Sequence, residues 1–135
     1  MEGNPHIQVG VAIIRRNNRF LLSRRNPSVH MGGLWEFPGG KCQAGESLEA
    51  CVVREVFEEL DIHLEQLHFV MRCSYEYPEK SVELSVFECM SFCGTPKAVD
   101  CFTFDWVKKE DLKAYQFPPA NAPILRHLLE RSLSS

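Results

Sequence analysis

The chain has 135 residues, a formal net charge of −3, and apolar and charged shares of 44% and 24%. A chain of this length forms one domain and buries roughly two thirds of its unfolded surface. That is enough for a stable core without disulfides or structural metal ions. The mild negative charge argues against the basic surface that nucleic acid polymers require. A phosphate ligand would therefore need positive charge from the site itself, either from side chains or from a metal ion.

Cysteine usage and the N-terminal residues bear on the cellular compartment. The size and apolar content do not suit a disulfide scaffold, so we expect all six cysteines to be reduced. The first 14 residues form no basic leader, and no segment has the length to cross a membrane. These features predict a cytoplasmic protein without membrane contacts.

The N-terminal part predicts a hairpin followed by a binding loop. Residues 7–14 are rich in β-branched side chains, residues 17–18 give an Asn-Asn turn, and residues 20–22 resume the apolar pattern. The stretch 26–40 is polar, punctuated by Pro and Gly, and contains aromatic side chains. Aromatic residues in such a loop indicate a surface that binds a ligand.

The spacing predicts a central helix over residues 47–60. This stretch has no Pro or Gly, and Ser47 is a suitable N-cap with the negative charge of Glu46 before it. One apolar stripe recurs at helical spacing, formed by Leu48, Val52, Val53, Val56, Phe57 and Leu60. A stripe of this kind predicts that one side of the helix packs on the core.

The C-terminal half predicts more strands and then a second helix. Residues 68–77 and 82–92 read as strands of a hairpin, and residues 102–106 alternate as a further short strand. Residues 124–133 form an amphipathic pattern that Asn121 could cap. The order lacks the regular alternation of a doubly wound sheet, so we predict an α+β fold, a mixed sandwich.

The central helix carries an unusual group of carboxylates. Glu55, Glu58 and Glu59 stand at i, i+3 and i+4 and project from one face, where like charges cost a few tenths of a kcal/mol per pair. One interpretation is an acidic face in contact with solvent, on which the pairing of Arg54 with Glu58 reduces the repulsion between like charges. The other is a magnesium site, since clustered carboxylates are the oxygen ligands that Mg²⁺ takes.

The order of Gly and charged residues around this helix matches a known signature. It reads G-x5-E-x7-R-E-U-x-E-E-x-G-U, where U is a bulky aliphatic residue, and is met by Gly40, Glu46, Arg54, Glu55, Val56, Glu58, Glu59 and Ile62. On these residues the chain is identified as a member of the Nudix hydrolases, which implies a mixed-sheet α/β/α sandwich. One position departs, because Asp61 replaces the last Gly. We expect the helix to end there in the left-handed region, which Asp tolerates.

The resemblance extends to the MutT branch of this family, which hydrolyses 8-oxo-dGTP to the monophosphate and pyrophosphate. It is carried by Arg24-Arg25, His30-Met31, the run WEFPGGK at 35–41 and the run FPPAN at 117–121. The implied partner is a small nucleoside triphosphate. The implied substrate-binding residues are Arg25, His30, Glu36, Phe37, Pro38, Gly39, Tyr77, Lys80 and Asn121.

The same resemblance implies roles in metal binding and catalysis. The carbonyl of Gly39 and the carboxylates of Glu55, Glu58 and Glu59 would hold Mg²⁺, with Mn²⁺ as an alternative, and Arg54 would orient a carboxylate. Glu55 is the first choice for the general base and Asp100 the second.

Several alternatives stay open at this point. Asn121 either reads the base or caps the last helix; Phe37 and Tyr77 either line a pocket or pack in the core; Arg25 and Lys80 either bind substrate or are solvated. The enzyme could act on another nucleotide such as CTP or dCTP, or the fold could be a binding module without turnover. We expect a monomer.

Overall fold

The computed structural model describes residues 5–29 and 31–130. His30 and the last predicted helical residues, 131–133, therefore lie outside the described residues. The elements in chain order are β1 (His6–Arg16), β2 (Arg19–Arg24), β3 (Trp35–Glu36), β4 (Gly39–Lys41), α1 (Leu48–Leu60), β5 (His63–Glu65), β6 (His68–Tyr77), β7 (Lys80–Cys89), β8 (Ser91–Cys93), β9 (Thr103–Lys108), two 3-10 helices (Lys109–Ala114 and Pro119–Asn121) and α2 (Ala122–Glu130).

The main sheet is mixed and is organised around the long strand β1. Its order is β3-β2-β1-β7-β6, with β4 also paired to β1 and β9 to β2. β1 runs parallel to β7 and antiparallel to β2 and β4. Both predicted hairpins, β1–β2 and β6–β7, are confirmed.

Each face of this sheet carries one helix. Alternate residues of β1 point to opposite sides, so Val11 and Ile13 join the core that contains Ile124 and Leu128 of α2, as the strand periodicity requires. Ala12 and Ile14 instead join Val52, Val56 and Leu60 of α1. The predicted α/β/α sandwich is therefore confirmed.

The ends of α1 follow the sequence prediction. The Ser47 hydroxyl accepts the Ala50 backbone N–H at 3.1 Å, which makes it the N-cap. Asp61 takes the left-handed conformation with φ 59°, and its N–H donates to the Phe57 carbonyl at 2.9 Å. The Asp that replaces Gly in the signature thus ends the helix as expected.

The predicted cap of α2 is wrong. Asn121 is the last residue of a 3-10 helix that runs directly into α2, so it already has a helical partner for its N–H, the Pro118 carbonyl at 3.0 Å. The extended conformation that a cap requires is found earlier, at Pro118. The Asn121 side chain therefore does not cap α2.

The prediction that all cysteines are reduced is also wrong. Cys42, just after β4, and Cys51, in α1, form a disulfide with their Cα atoms 5.2 Å apart. The pairing arises because β4 packs against α1, which spacing along the chain does not reveal. Separately, no helix within residues 5–29 and 31–130 has the length and apolar character to cross a membrane.

Candidate active site

Two adjacent glycines bring β4 into close contact with its neighbours. A Cβ at Gly39 would collide with the backbone of Gly10 on β1, and a Cβ at Gly40 would collide with the carboxylate of Glu55. Gly residues allow such approach because they have no side chain. The Gly-Gly pair therefore places a strand backbone directly beside the acidic face of α1.

Arg54 is the centre of an ion-pair network at this junction. Its guanidinium meets Glu46 at 2.7 Å and 3.0 Å, Glu55 at 2.9 Å and Glu58 at 3.2 Å, and donates to the Lys41 carbonyl at 3.0 Å. The hydrogen bonds from Arg54 lower the pKa of Glu46 to about 2. The predicted pairing with Glu58 is present, but the two-point contact with Glu46 was not foreseen.

Glu59 points away from this arginine and into the protein. It accepts hydrogen bonds from the Ser23 hydroxyl at 3.4 Å and from the Gly39 backbone N–H. Burial, followed by the negative charge of Glu36, raises the pKa of Glu59 well above its usual range. The pKa of Glu36 is also raised by burial, while Arg25, 3.3 Å away, offsets part of that effect.

The three helix carboxylates are more dispersed than the spacing predicts. Within the described part of the chain, no group of three His, Cys, Asp or Glu side chains lies close enough to hold a metal ion jointly. The physical reason is that Arg54 attracts Glu55 and Glu58, whereas Glu59 turns toward Ser23.

The chemistry of these donors nevertheless suits a divalent cation. Glu36 and Glu55 lie close enough to Glu59 for their negative charges to raise its pKa. All three side chains offer carboxylate oxygens, the type of ligand that Mg²⁺ prefers. Arg25 is the cation that partly offsets the charge of Glu36. A divalent ion would supply further positive charge beside Glu59.

A first cavity of about 320 Å³ lies on the α2 side of the sheet. Its floor comes from alternate apolar residues of β1 and β7, and its walls include Phe37, Tyr77, Lys80, Pro118 and Asn121. Phe37 stacks on Phe117 with ring centroids 5.5 Å apart. The cavity is wide enough for a small planar ligand and is bordered by polar groups at a few points.

A second cavity of about 310 Å³ adjoins the first. It is lined by Glu59, Asp100, Cys101 and the loop residues Asn26, Val29 and Val99. Both cavities share the wall residues Arg25, Glu36 and Gly39. The two cavities therefore adjoin at this shared wall, and together they are called the cleft, with an apolar part and an acidic part.

Most of the predicted substrate residues meet in this cleft. Arg25, Glu36, Phe37, Gly39, Tyr77, Lys80 and Asn121 all line it. Pro38 does not line either cavity, because it is buried and its carbonyl accepts the Ala12 N–H at 2.8 Å. The sequence reasoning missed Ser23 and the floor residues Ile7, Val9, Val11, Val82 and Leu84. The alternation of these apolar residues is visible in the sequence, but the parallel pairing of β1 with β7 that brings them together is not.

Comparisons with known proteins agree with this fold. A family profile described as NUDIX domain matches residues 10–127. The 8-oxo-dGTP diphosphatase of Escherichia coli K12 is 35% identical over 123 residues, covering 90% of this chain and 95% of that protein. The CTP pyrophosphohydrolase of the same organism is 34% identical over 119 residues, covering 88% of each.

Solved structures also share this fold. The crystal structure of a MutT protein from Methanosarcina mazei superposes with a TM-score of 0.84 at 29% identity, covering 95% of this chain and 96% of that one. Fold and signature helix together define the chain as a hydrolase built on a mixed sheet. It belongs to the Nudix family.

Proposed function

We propose that this Nudix hydrolase is a Mg²⁺-dependent nucleoside triphosphate pyrophosphohydrolase that converts 8-oxo-dGTP and water to 8-oxo-dGMP and pyrophosphate. It would thereby remove an oxidised precursor before DNA synthesis. The observation that carries the proposal is the pair of adjoining cavities in the cleft, whose apolar part suits a base and whose acidic part suits metal-bound phosphates. The 35% identity to an enzyme with this activity supports the same substrate.

Asn121 is the residue that we assign to base recognition. Asn121 is only 8% exposed and lines the first cavity. An amide offers a donor and an acceptor side by side. These properties suit the edge of an oxidised guanine, with Phe37 and Tyr77 against the ring and Lys80 at the rim.

The acidic part is assigned to the metal and the phosphates. The Gly39 carbonyl and the carboxylates of Glu55, Glu58 and Glu59 would hold Mg²⁺ or, less favoured, Mn²⁺. Gly39 and Glu59 line the second cavity, and Glu55 and Glu58 would have to move toward them to share one ion. When bound, the ion would neutralise phosphate charge and lower the pKa of the attacking water. Arg54 would orient Glu55 through their 2.9 Å pair.

Four further residues are assigned positioning and proton-transfer roles. Arg25, on the shared wall, would bind phosphate oxygens and stay oriented by Glu36. His30 is kept as a further substrate contact on the resemblance alone. Glu55 is proposed to take the proton of the attacking water, with Asp100, which lines the second cavity, as the alternative.

The substrate assignment is tested by measuring pyrophosphate release with Mg²⁺ from 8-oxo-dGTP, dGTP, CTP and ADP-ribose, comparing kcat/KM for parent and Asn121→Ala. We expect a preference for 8-oxo-dGTP that falls about 5- to 150-fold in the variant, since a two-point base contact is worth about 1–3 kcal/mol. Replacing Glu55 with Gln should lower kcat about 100-fold or more.

The main rival is supported by the CTP pyrophosphohydrolase relative. A higher kcat/KM for CTP would replace the proposed substrate while keeping the chemistry. Absence of turnover on every nucleotide, with binding retained, would favour a nucleotide-binding module. We keep the monomeric state and the cytoplasmic location as proposals, to be tested by sedimentation and by cell fractionation.

A further inference from the structure

Ser23 is a buried hydroxyl in the middle of the sheet, beside the proposed metal site. It lies on β2, is 0% exposed, and stands between Glu36 on β3 and Phe104 on β9 in the strand register. A hydroxyl in such a place is costly unless it has a hydrogen-bond partner. Its partner is the carboxylate of Glu59 on α1, 36 positions further along the chain.

The contact differs from those of the other helix carboxylates. Glu55 and Glu58 are both paired with the guanidinium of Arg54. Glu59 is instead held by two neutral donors, the Ser23 hydroxyl at 3.4 Å and the Gly39 backbone N–H. Neutral donors fix the orientation of a carboxylate without placing a competing positive charge beside it.

We propose that Ser23 is a positioning residue that orients Glu59 for the divalent ion. The inference rests on the proposed function, because it takes Glu59 as a metal ligand. Groups that hydrogen-bond to metal ligands typically change metal affinity or activity about 10- to 100-fold when removed. A merely structural hydroxyl would affect folding and leave the affinity for the ion unchanged.

The chain offers a matched control for this proposal. Ser85, on β7, is also 0% exposed, and its hydroxyl has no hydrogen-bond partner among the described residues. Ser85→Ala therefore makes the same chemical change at the same burial without touching a carboxylate. Ser23→Thr keeps a hydroxyl at the site and serves as the conservative variant.

The test measures Mn²⁺ binding by calorimetry on the full chain without nucleotide, for parent, S23A, S23T and S85A, after thermal unfolding has shown that each folds. We expect S23A to bind Mn²⁺ at least about tenfold more weakly, and S23T and S85A to stay within about threefold of the parent. In a Glu59→Gln background, S23A should cause no further loss. Equal affinity of S23A and parent would overturn the positioning role.

The design separates this proposal from the proposed function. If the parent binds no Mn²⁺ and releases no pyrophosphate, the proposed function fails and the role of Ser23 fails with it. If the parent binds Mn²⁺ and turns over while S23A matches it in both, only the role of Ser23 fails. Should S23A not fold, Ser23→Cys, a weaker donor of similar size, is judged by the same affinity criterion.

Discussion

At the scale of single residues, Gly40 sets how closely the strand β4 approaches Glu55. A methyl group there would occupy the space of the Glu55 carboxylate. We expect Gly40→Ala to lower kcat/KM about 100-fold, because a displacement of about 1 Å in a catalytic group has that effect. The measurement is steady-state pyrophosphate release.

Gly45 provides the control for this prediction. A Cβ at Gly45 meets nothing within 4 Å, although its φ of +80° is unfavourable for Ala. Gly45→Ala should therefore lose about 1 kcal/mol of stability and keep its kcat/KM. Parent-like turnover in Gly40→Ala would contradict the close-approach argument.

The contact between Glu46 and Arg54 gives a prediction about pH. Because the folded-state pKa of Glu46 is about 2, below the ordinary 4.5, the contact stabilises the fold above pH 4.5. That stabilisation is lost as the pH falls from 4.5 toward 2. The difference in free energy of unfolding between parent and Glu46→Gln should shrink over this window.

Urea unfolding at a series of pH values measures this difference. Glu79→Gln, in the exposed turn between β6 and β7, is the control and should differ little from the parent at any pH. A parent-to-Glu46→Gln difference that is constant from pH 7 to about pH 2 would show that the pairing does not contribute through its charge.

At the scale of elements, the junction of β4 with α1 is held by a disulfide as well as by the arginine network. Cys42 and Cys51 are 9 positions apart. Closing a loop of this size is worth about 2–3 kcal/mol in the chain-entropy account. We expect reduction, or Cys42→Ser, to lower the free energy of unfolding by about that amount.

The measurement is urea unfolding with and without dithiothreitol, with free thiols counted before and after reduction. Cys73→Ser, at a free cysteine of β6, is the control and should leave the response to reductant unchanged. A parent that shows six free thiols and no response to reductant would contradict the disulfide.

At the scale of the whole molecule, the cleft has two parts with opposite character that meet at Arg25, Glu36 and Gly39. The apolar part should bind a nucleoside without a metal ion. The acidic part carries Glu59 and Asp100 and should repel phosphate groups unless a cation is present. The two products, 8-oxo-dGMP and pyrophosphate, should therefore differ in whether they need the metal ion for binding.

Calorimetry with 8-oxo-dGMP and with pyrophosphate, each with EDTA or with Mg²⁺, measures this difference. We expect 8-oxo-dGMP to bind under both conditions within about tenfold, and pyrophosphate to bind only with Mg²⁺. Tight pyrophosphate binding in EDTA would show that side chains alone supply the positive charge.

The features that depend on local pattern could be predicted from the order of the residues. The apolar stripe and Ser47 predicted α1, the alternation of residues 68–77 and 82–92 predicted a hairpin, and the tolerance of Asp for the left-handed region predicted the end of α1 at Asp61. The signature from Gly40 to Ile62 indicated the family. These features are readable because each depends on neighbours within a few turns or one hairpin.

Contacts between different elements, in contrast, became known from the fold. The parallel pairing of β1 with β7 forms the floor of the first cavity, the packing of β4 on α1 joins Cys42 to Cys51, and the burial of Ser23 gives Glu59 its partner. In each case the contact joins two different elements, and helical or strand periodicity does not encode which elements pack together. The choice is made by packing and by the cost of leaving a buried polar group without a hydrogen bond.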